Sequence, residues 1–127
     1  MAHKIHSKWL TTREVRIYCI DFSGIERDKK ALKAEIKAVE SVIGHLPDSR
    51  LLATMDLNQV DMMDDLVIFL KTRCGTEHNP FRKLAVMGMS WQQRLWLRLS
   101  KGLIWPKNVV FLENYETAKT WLVGEGF

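Results

Sequence analysis

Cysteine is nearly missing from this chain: its 127 residues hold only Cys19 and Cys74, with no C-x-x-C pair and no histidine at ligand spacing. That excludes a disulfide framework and a cysteine-based zinc site, so both thiols read as reduced, Cys19 within a buried strand. Long apolar runs are absent too, and none approaches the roughly 20 residues that a membrane-spanning helix requires. The start, Met1-Ala2-His3-Lys4-Ile5-His6, lacks the apolar core of a secretory signal. The expected location is therefore cytoplasmic, peripheral to a membrane if any membrane is met. The most telling shortage is of acid. From His78 to Leu112 there is no Asp or Glu, against six Lys and Arg. The net charge of +4 thus resides in that segment, while the rest of the chain is slightly acidic. A local cationic patch favours an anionic partner.

What is present is an ordinary globular composition, 46% apolar and 27% charged, at a length that fits a single domain over residues 1–127. Such a chain buries roughly two-thirds of its unfolded surface and folds without staples. Lys4 to Trp9 and Val15 to Phe22 read as two strands joined through Leu10 to Glu14, with Val15, Ile17 and Cys19 facing inward. Ser23-Gly24-Ile25-Glu26 has capping-box spacing ahead of an amphipathic helix carrying Leu32, Ile36, Val39 and Ile43, which a left-handed Gly44 ends before a turn at Pro47-Asp48-Ser49.

Leu51 to Met55 is a continuous apolar run and should be a central strand covered on both faces. After a turn at Asp56 to Val60, a second helix is predicted from about Met63 to Arg73. Leu84 to Gly88 supplies the next strand, and Ser90 with Gln93 forms a capping box that starts a helix at Trp91, stopped by Gly102. Val109 to Leu112 is a last strand. Asn114 caps a closing helix whose Tyr115, Ala118, Trp121 and Leu122 face inward. The order predicts an α/β fold: a mixed, mostly parallel five-stranded sheet with four main helices, the antiparallel strand near the N-terminal edge.

In that order, Tyr18-Cys19-Ile20-Asp21-Phe22-Ser23-Gly24, Met55-Asp56-Leu57-Asn58-Gln59-Val60-Asp61-Met62-Met63-Asp64, Leu84-Ala85-Val86-Met87-Gly88 and Phe111-Leu112 with Ala118-Lys119-Thr120-Trp121-Leu122 resemble the SpoIIAA-like branch of the STAS (sulphate transporter and anti-sigma factor antagonist) domains. The resemblance covers nearly the whole chain. It implies a SpoIIAA-like/STAS-like fold, similar also to the CRAL-TRIO lipid carriers, and a binding rather than an enzymatic role. In anti-sigma factor antagonists an Asp in the loop after the central strand is followed by a phosphorylatable Ser and then Ser-Gly. Asp64 matches that Asp, but Asp65, Leu66 and Val67 stand where Ser-Ser-Gly would, leaving no hydroxyl to phosphorylate. Asp65 could supply a fixed negative charge instead.

Gly88-Met89-Ser90 resembles a G-x-S-x-G nucleophile turn, but Gln92 replaces the second Gly and the last histidine, His78, precedes the serine. Ser90 is therefore a cap, and no enzyme is expected. His3 and His6 would fall on opposite faces of a strand, and Val60 breaks the D-x-[DN]-x-[DN]-G pattern around Asp56, Asn58, Asp61, Asp64 and Asp65, so neither a metal nor another cofactor is expected. The helix from Trp91 is the sharpest candidate: Trp91, Leu95, Trp96, Leu99 and Leu103 form an apolar arc and Arg94, Arg98 and Lys101 a basic side, so that the arc either packs on the sheet, as in any surface helix, or serves as a binding face. With Trp105 they make a segment suited to an apolar or amphipathic ligand or to an anionic membrane surface. The expected mouth lies between this helix and the preceding one, with Met62, Met63, Leu66, Phe69 and Leu70 as its other wall. The alternative is a STAS-type protein-interaction module docking a partner through Asn58, Asp61, Asp64 and Asp65. Nucleic-acid binding ranks below both because no recognition motif accompanies the basic segment. A homodimer is left open.

Overall fold

The computed structural model describes residues 4–47, 50–76 and 78–124. The chain opens with a hairpin of β1 (Lys8–Thr12) and β2 (Val15–Asp21), antiparallel and closed by Arg13-Glu14. Both turn residues are left-handed, at φ 49° and 65°. That geometry suits a two-residue turn between right-twisting strands, although neither residue is the Gly or Asn such turns favour. The first strand therefore begins at Lys8 rather than Lys4 and takes in Leu10 to Thr12, where the sequence suggests a loop. β-branched Thr11 and Thr12 favour the strand. The chain before Lys8 serves instead as an arm fastened to the first helix. The backbone N–H groups of His6 and Ser7 donate to the two carboxylate oxygens of buried Glu35 at 3.1 and 3.0 Å. His3 and the turn residues Asp48 and Ser49 lie outside the described residues.

Helix α1 (Lys29–Ile43) is capped not by Ser23 but by Asp28, whose carboxylate accepts from the Ala31 N–H at 3.0 Å. The Ser23 hydroxyl instead donates to Asp21, and Gly24 turns the chain at φ +74°. Leu32, Val39 and Ile43 are buried as their spacing requires. Gly44 is right-handed (φ −64°) rather than left-handed. Its N–H donates to the Glu40 carbonyl at 2.8 Å, so the last turn continues helically.

Strand β3 (Leu51–Asp56) lies at the centre, parallel to β2 and to β4 (Phe81–Met87), and β5 (Val109–Leu112) pairs parallel with β4. Strand order follows chain order, β1-β2-β3-β4-β5. The helix expected over Met63–Arg73 is α2 (Asp64–Phe69), which passes directly into a π-helical turn, Leu70–Cys74. Then come α3 (Trp91–Lys101) and α4 (Tyr115–Val123), the latter capped by the Asn114 side chain accepting from the Thr117 N–H at 2.9 Å.

The topology decides where the helices go. Each right-handed crossover advances one strand in the same direction, so α1, α2 and α3 form a row on one face. Their buried residues Leu32, Val39, Leu66, Phe69 and Leu97 join Tyr18, Ile20, Met55, Leu84 and Val86 in the main core. Phe22 and Phe69 meet edge to face at 5.6 Å within it. On the other face α4 covers β4 and β5 through Ala118, Ala85 and Met87. Strand β2 is thus packed on both sides: Tyr18 and Ile20 face the main core while Ile17 is buried opposite, and Cys19 is only half-buried. At the open end of the helix row sits α3, beside the edge strand β5.

Candidate functional site

Helix α3 starts where its sequence says it should. The Ser90 hydroxyl accepts from the Gln93 N–H at 3.2 Å and the Gln93 side chain accepts from the Ser90 N–H at 3.0 Å, a complete capping box. The far end closes at Gly102, left-handed at φ +69°. What the periodicity does not reveal is which side faces the protein. Leu97 is fully buried, whereas Trp91 is 63% and Leu99 74% exposed, with Leu95 and Trp96 also exposed. At about 100° per residue, Leu97 stands on the opposite side of the helix from Leu95. Apart from buried Leu103, the apolar arc is therefore turned outward rather than packed on the sheet. The inward side carries Leu97, with half-buried Gln93 and Arg94 beside it. Arginine tolerates this because its guanidinium lies over the Phe111 ring, 4.5 Å from the centroid.

Beyond Gly102 the chain dips and rises. Leu103 is buried, Ile104 is 68% exposed, and half-buried Trp105 meets Phe111 edge to face at 5.2 Å. Between α3 and β5 this leaves an open groove of about 620 Å³, lined by Trp91, Arg94, Leu95, Arg98, Leu103, Ile104, Trp105 and Phe111. A second hollow of about 600 Å³, lined by Gly75, Thr76, Ile104, Trp105, Pro106, Lys107 and Asn108, shares Ile104 and Trp105 with the first. Among the described residues no carboxylate lines either one. Two donors there are occluded from solvent and have no acceptor in reach among the described residues: Arg94 Nε and Trp105 Nε1. Lys101 is set apart, its Nζ 5.6 Å from the Trp96 ring centre.

The groove is thus on the other side of α3 from the expected mouth. Leu66, Phe69 and Leu70 are sealed in the core at 0–1% exposure, and Met62 and Met63 are half-buried against it. These five do not form a wall opposite Trp91. Phe69 borders a different hollow, one between α1 and α2 with Ile36, Ile68 and Asp65. Phe111 was missed in the sequence although it contacts both Arg94 and Trp105. The clue was available: the last strand of a chain-ordered sheet is an edge, and its alternate residues must meet the last crossover helix.

The acidic loop is built differently. Asn58 donates from its backbone and its side-chain amide to Asp56 Oδ1 at 2.9 and 2.8 Å, and Gly88, at φ +83°, packs directly on Asn58. Asp61 faces Arg27 at 3.7 Å, Asp64 is exposed, and Asp65 is half-buried in the first turn of α2. Among the described residues no three His, Cys, Asp or Glu converge into a metal-sized set, and no helix is long and apolar enough to cross a membrane.

No family model matches the chain, and no curated protein matches it either. Among solved structures, an uncharacterised DUF3478 family protein with a SpoIIAA-like fold from Shewanella loihica PV-4 aligns over 96% of this chain and 96% of its own, with a TM-score of 0.63 at 19% identity. The fold is SpoIIAA-like. Within this SpoIIAA-like frame the loop after β3 and the groove beside α3 are separate places. The first presents carboxylates and the second aromatic rings with guanidinium groups, so the two suit partners of opposite charge.

Proposed function

We propose that this SpoIIAA-like domain is non-enzymatic and binds apolar or amphipathic matter through α3, docking on an anionic membrane surface. The observation that carries the reading is the outward face of α3: Trp91, Leu95, Trp96 and Leu99 are all exposed large apolar side chains, with Arg98 and Lys101 among them and exposed Ile104 just beyond the helix end. Isolated exposed apolar residues are commonplace, whereas a contiguous set on one short helix marks an interaction surface. Each such side chain contributes on the order of 1.5–3 kcal/mol when moved fully out of water. A cation near an anionic leaflet adds about 1 kcal/mol. Trp and Leu enter the headgroup layer while Arg98 and Lys101 meet lipid phosphates.

Flotation with anionic and neutral vesicles tests this. Wild-type protein should rise with anionic vesicles and lose the association as salt increases, and Leu99→Asp should stay at the bottom. Absence from both vesicle fractions would sink the proposal. The second reading, a protein-interaction surface at Asn58, Asp61, Asp64 and Asp65, draws support from the exposed carboxylates of Asp61 and Asp64 beside the Asn58 turn. Under that reading Asp64→Arg with Asp65→Arg removes a partner from a pull-down, and an unchanged set of partners counts against it.

A further inference from the structure

The two solvent-occluded donors are the least comfortable groups on this face of the molecule. An N–H withdrawn from water without an acceptor costs about 1–3 kcal/mol. Here there are two, Arg94 Nε and Trp105 Nε1, both on side chains packed against the same Phe111 ring and both lining the same groove. A second guanidinium, that of Arg98, lines the groove as well, and among the described residues no carboxylate does. The remaining walls are Trp91, Leu95, Leu103 and Ile104. Around the shared Ile104 and Trp105 the apolar track continues into the hollow beside Gly75 and Pro106.

We infer that the α3–β5 groove is a site for one amphipathic oxyanion: a carboxylate or phosphate head paired with the Arg94 and Arg98 guanidinium groups, whose entry turns the occluded Arg94 and Trp105 N–H groups toward it, on an apolar tail lying along Leu95, Ile104 and Trp105. Three properties select this class. The donors require an acceptor, and a charged acceptor makes the stronger bonds. The two arginines, with no carboxylate beside them in the groove among the described residues, favour a negative charge over a neutral amide. The aromatic and aliphatic walls require an apolar body, and the groove volume falls within the range of small-molecule sites. A head group alone would leave those walls wet, and a neutral amphiphile would leave the guanidinium groups without a counter-charge.

This inference rests on the reading of α3 as the working element, yet it fails separately from it. The probes are dodecanoate and dodecyl phosphate below their micelle concentrations, with dodecanol and inorganic phosphate as tail-only and head-only controls. Wild-type protein titrated calorimetrically should prefer either oxyanion over dodecanol roughly tenfold or more, since charge-assisted bonds are about twice as strong as neutral ones. Arg94→Gln, which removes the guanidinium, and Trp105→Phe, which keeps a ring but removes the indole N–H, should each narrow the preference for the oxyanions over dodecanol. Equal affinity for dodecanol and dodecanoate in the wild type overturns the inference even if both variants fail to fold. So does full preference retained in a folded Arg94→Gln. Vesicle flotation then separates the sources. Flotation by wild type and Arg94→Gln alike, without binding of the free amphiphiles, removes the groove and keeps the α3 surface. Binding of the free amphiphiles without flotation keeps the groove, names a free molecule as its occupant and removes the membrane reading.

Discussion

Leu97 and Leu99 stand two residues apart on α3, and the orientation of the helix makes opposite predictions for them. Leu97 is fully buried in the main core, while Leu99 is 74% exposed. Truncation to alanine removes the same atoms at both positions and changes helix propensity by the same small amount, so propensity cancels between them. What remains is burial. Leu97→Ala loses the transfer energy of a buried leucine and leaves a cavity under α3, a combined cost of about 2–5 kcal/mol. Leu99→Ala touches solvent and should stay within about 0.5 kcal/mol of wild type. Against a total stability of about 5–15 kcal/mol, the first is a large fraction and the second is invisible. Urea denaturation followed by circular dichroism reads the difference. With a slope of about 1–3 kcal/mol per molar urea, the Leu97→Ala midpoint should fall by roughly 1 M or more while Leu99→Ala overlays wild type. Equal loss from the two, or a greater loss from Leu99→Ala, would refute the orientation. It would put the Trp91, Leu95 and Leu99 arc back on the sheet and remove the exposed face on which the proposed function stands.

Three further outcomes test other parts of the structure. Gly88→Ala should cost several times more than Gly102→Ala: both glycines are left-handed, but a Cβ at Gly88 meets Asn58 N at 2.5 Å while one at Gly102 meets nothing within 4 Å. Backbone strain alone is worth about 1–2 kcal/mol, so equal losses in denaturant titrations would mean that the Gly88 contact is immaterial. Burial, with the Glu35 carboxylate second, pushes Tyr18 up to about 12; burial, followed by the Cys19 hydrogen bond, pushes Tyr115 up to about 12. Since the folded state holds these protons above their usual range, the associated stability is whole below about pH 10 and is lost as pH rises toward 12. These are the chain's two tyrosines, so tyrosinate absorbance should be almost silent at about pH 10.5 and appear with unfolding; a half-amplitude signal near pH 10 in folded protein contradicts both assignments. Finally, Glu35→Ala removes the acceptor for the His6 and Ser7 amides, and hydrogen exchange at those two amides should accelerate well before the core exchanges. Unchanged protection there would show that the N-terminal arm is held by other means.

Much of the fold was legible because its signals are local. The apolar run Leu51 to Met55 was identifiable as the central strand, and Ser90 and Asn114 as caps, since each rests on neighbours in sequence. The misreadings have a common cause in competition between local options. Ser23 has the spacing of a cap, but Asp21 two residues earlier takes its hydroxyl and leaves the helix start to Asp28. Arg13-Glu14 carries none of the residues that advertise a primed turn, so the hairpin was placed too early. For α3 the difficulty is deeper. Periodicity identifies the most apolar side of a helix, and burial follows only where a layer exists to receive it. A helix over an edge strand has a narrow seat, here made by Leu97 and Leu103 with Arg94 laid on Phe111, and the greater apolar side is left over. Composition alone singles out Trp91, Arg94, Leu95, Arg98 and Trp105, which do line the groove, whereas Phe111, their partner across it, follows only once β5 is recognised as the edge.

The chain-ordered sheet makes its row of helices unequal at the two ends. At the α1 end, a buried carboxylate on Glu35 ties the incoming arm to the row. At the other end, among the described residues, α3 lies beside the edge strand β5, and the next helix, α4, packs on the opposite face of the sheet. The molecule therefore has a fastened side and an unfastened one. Under the proposed docking on α3, seating a partner there should also be the event that stiffens this end of the helix row.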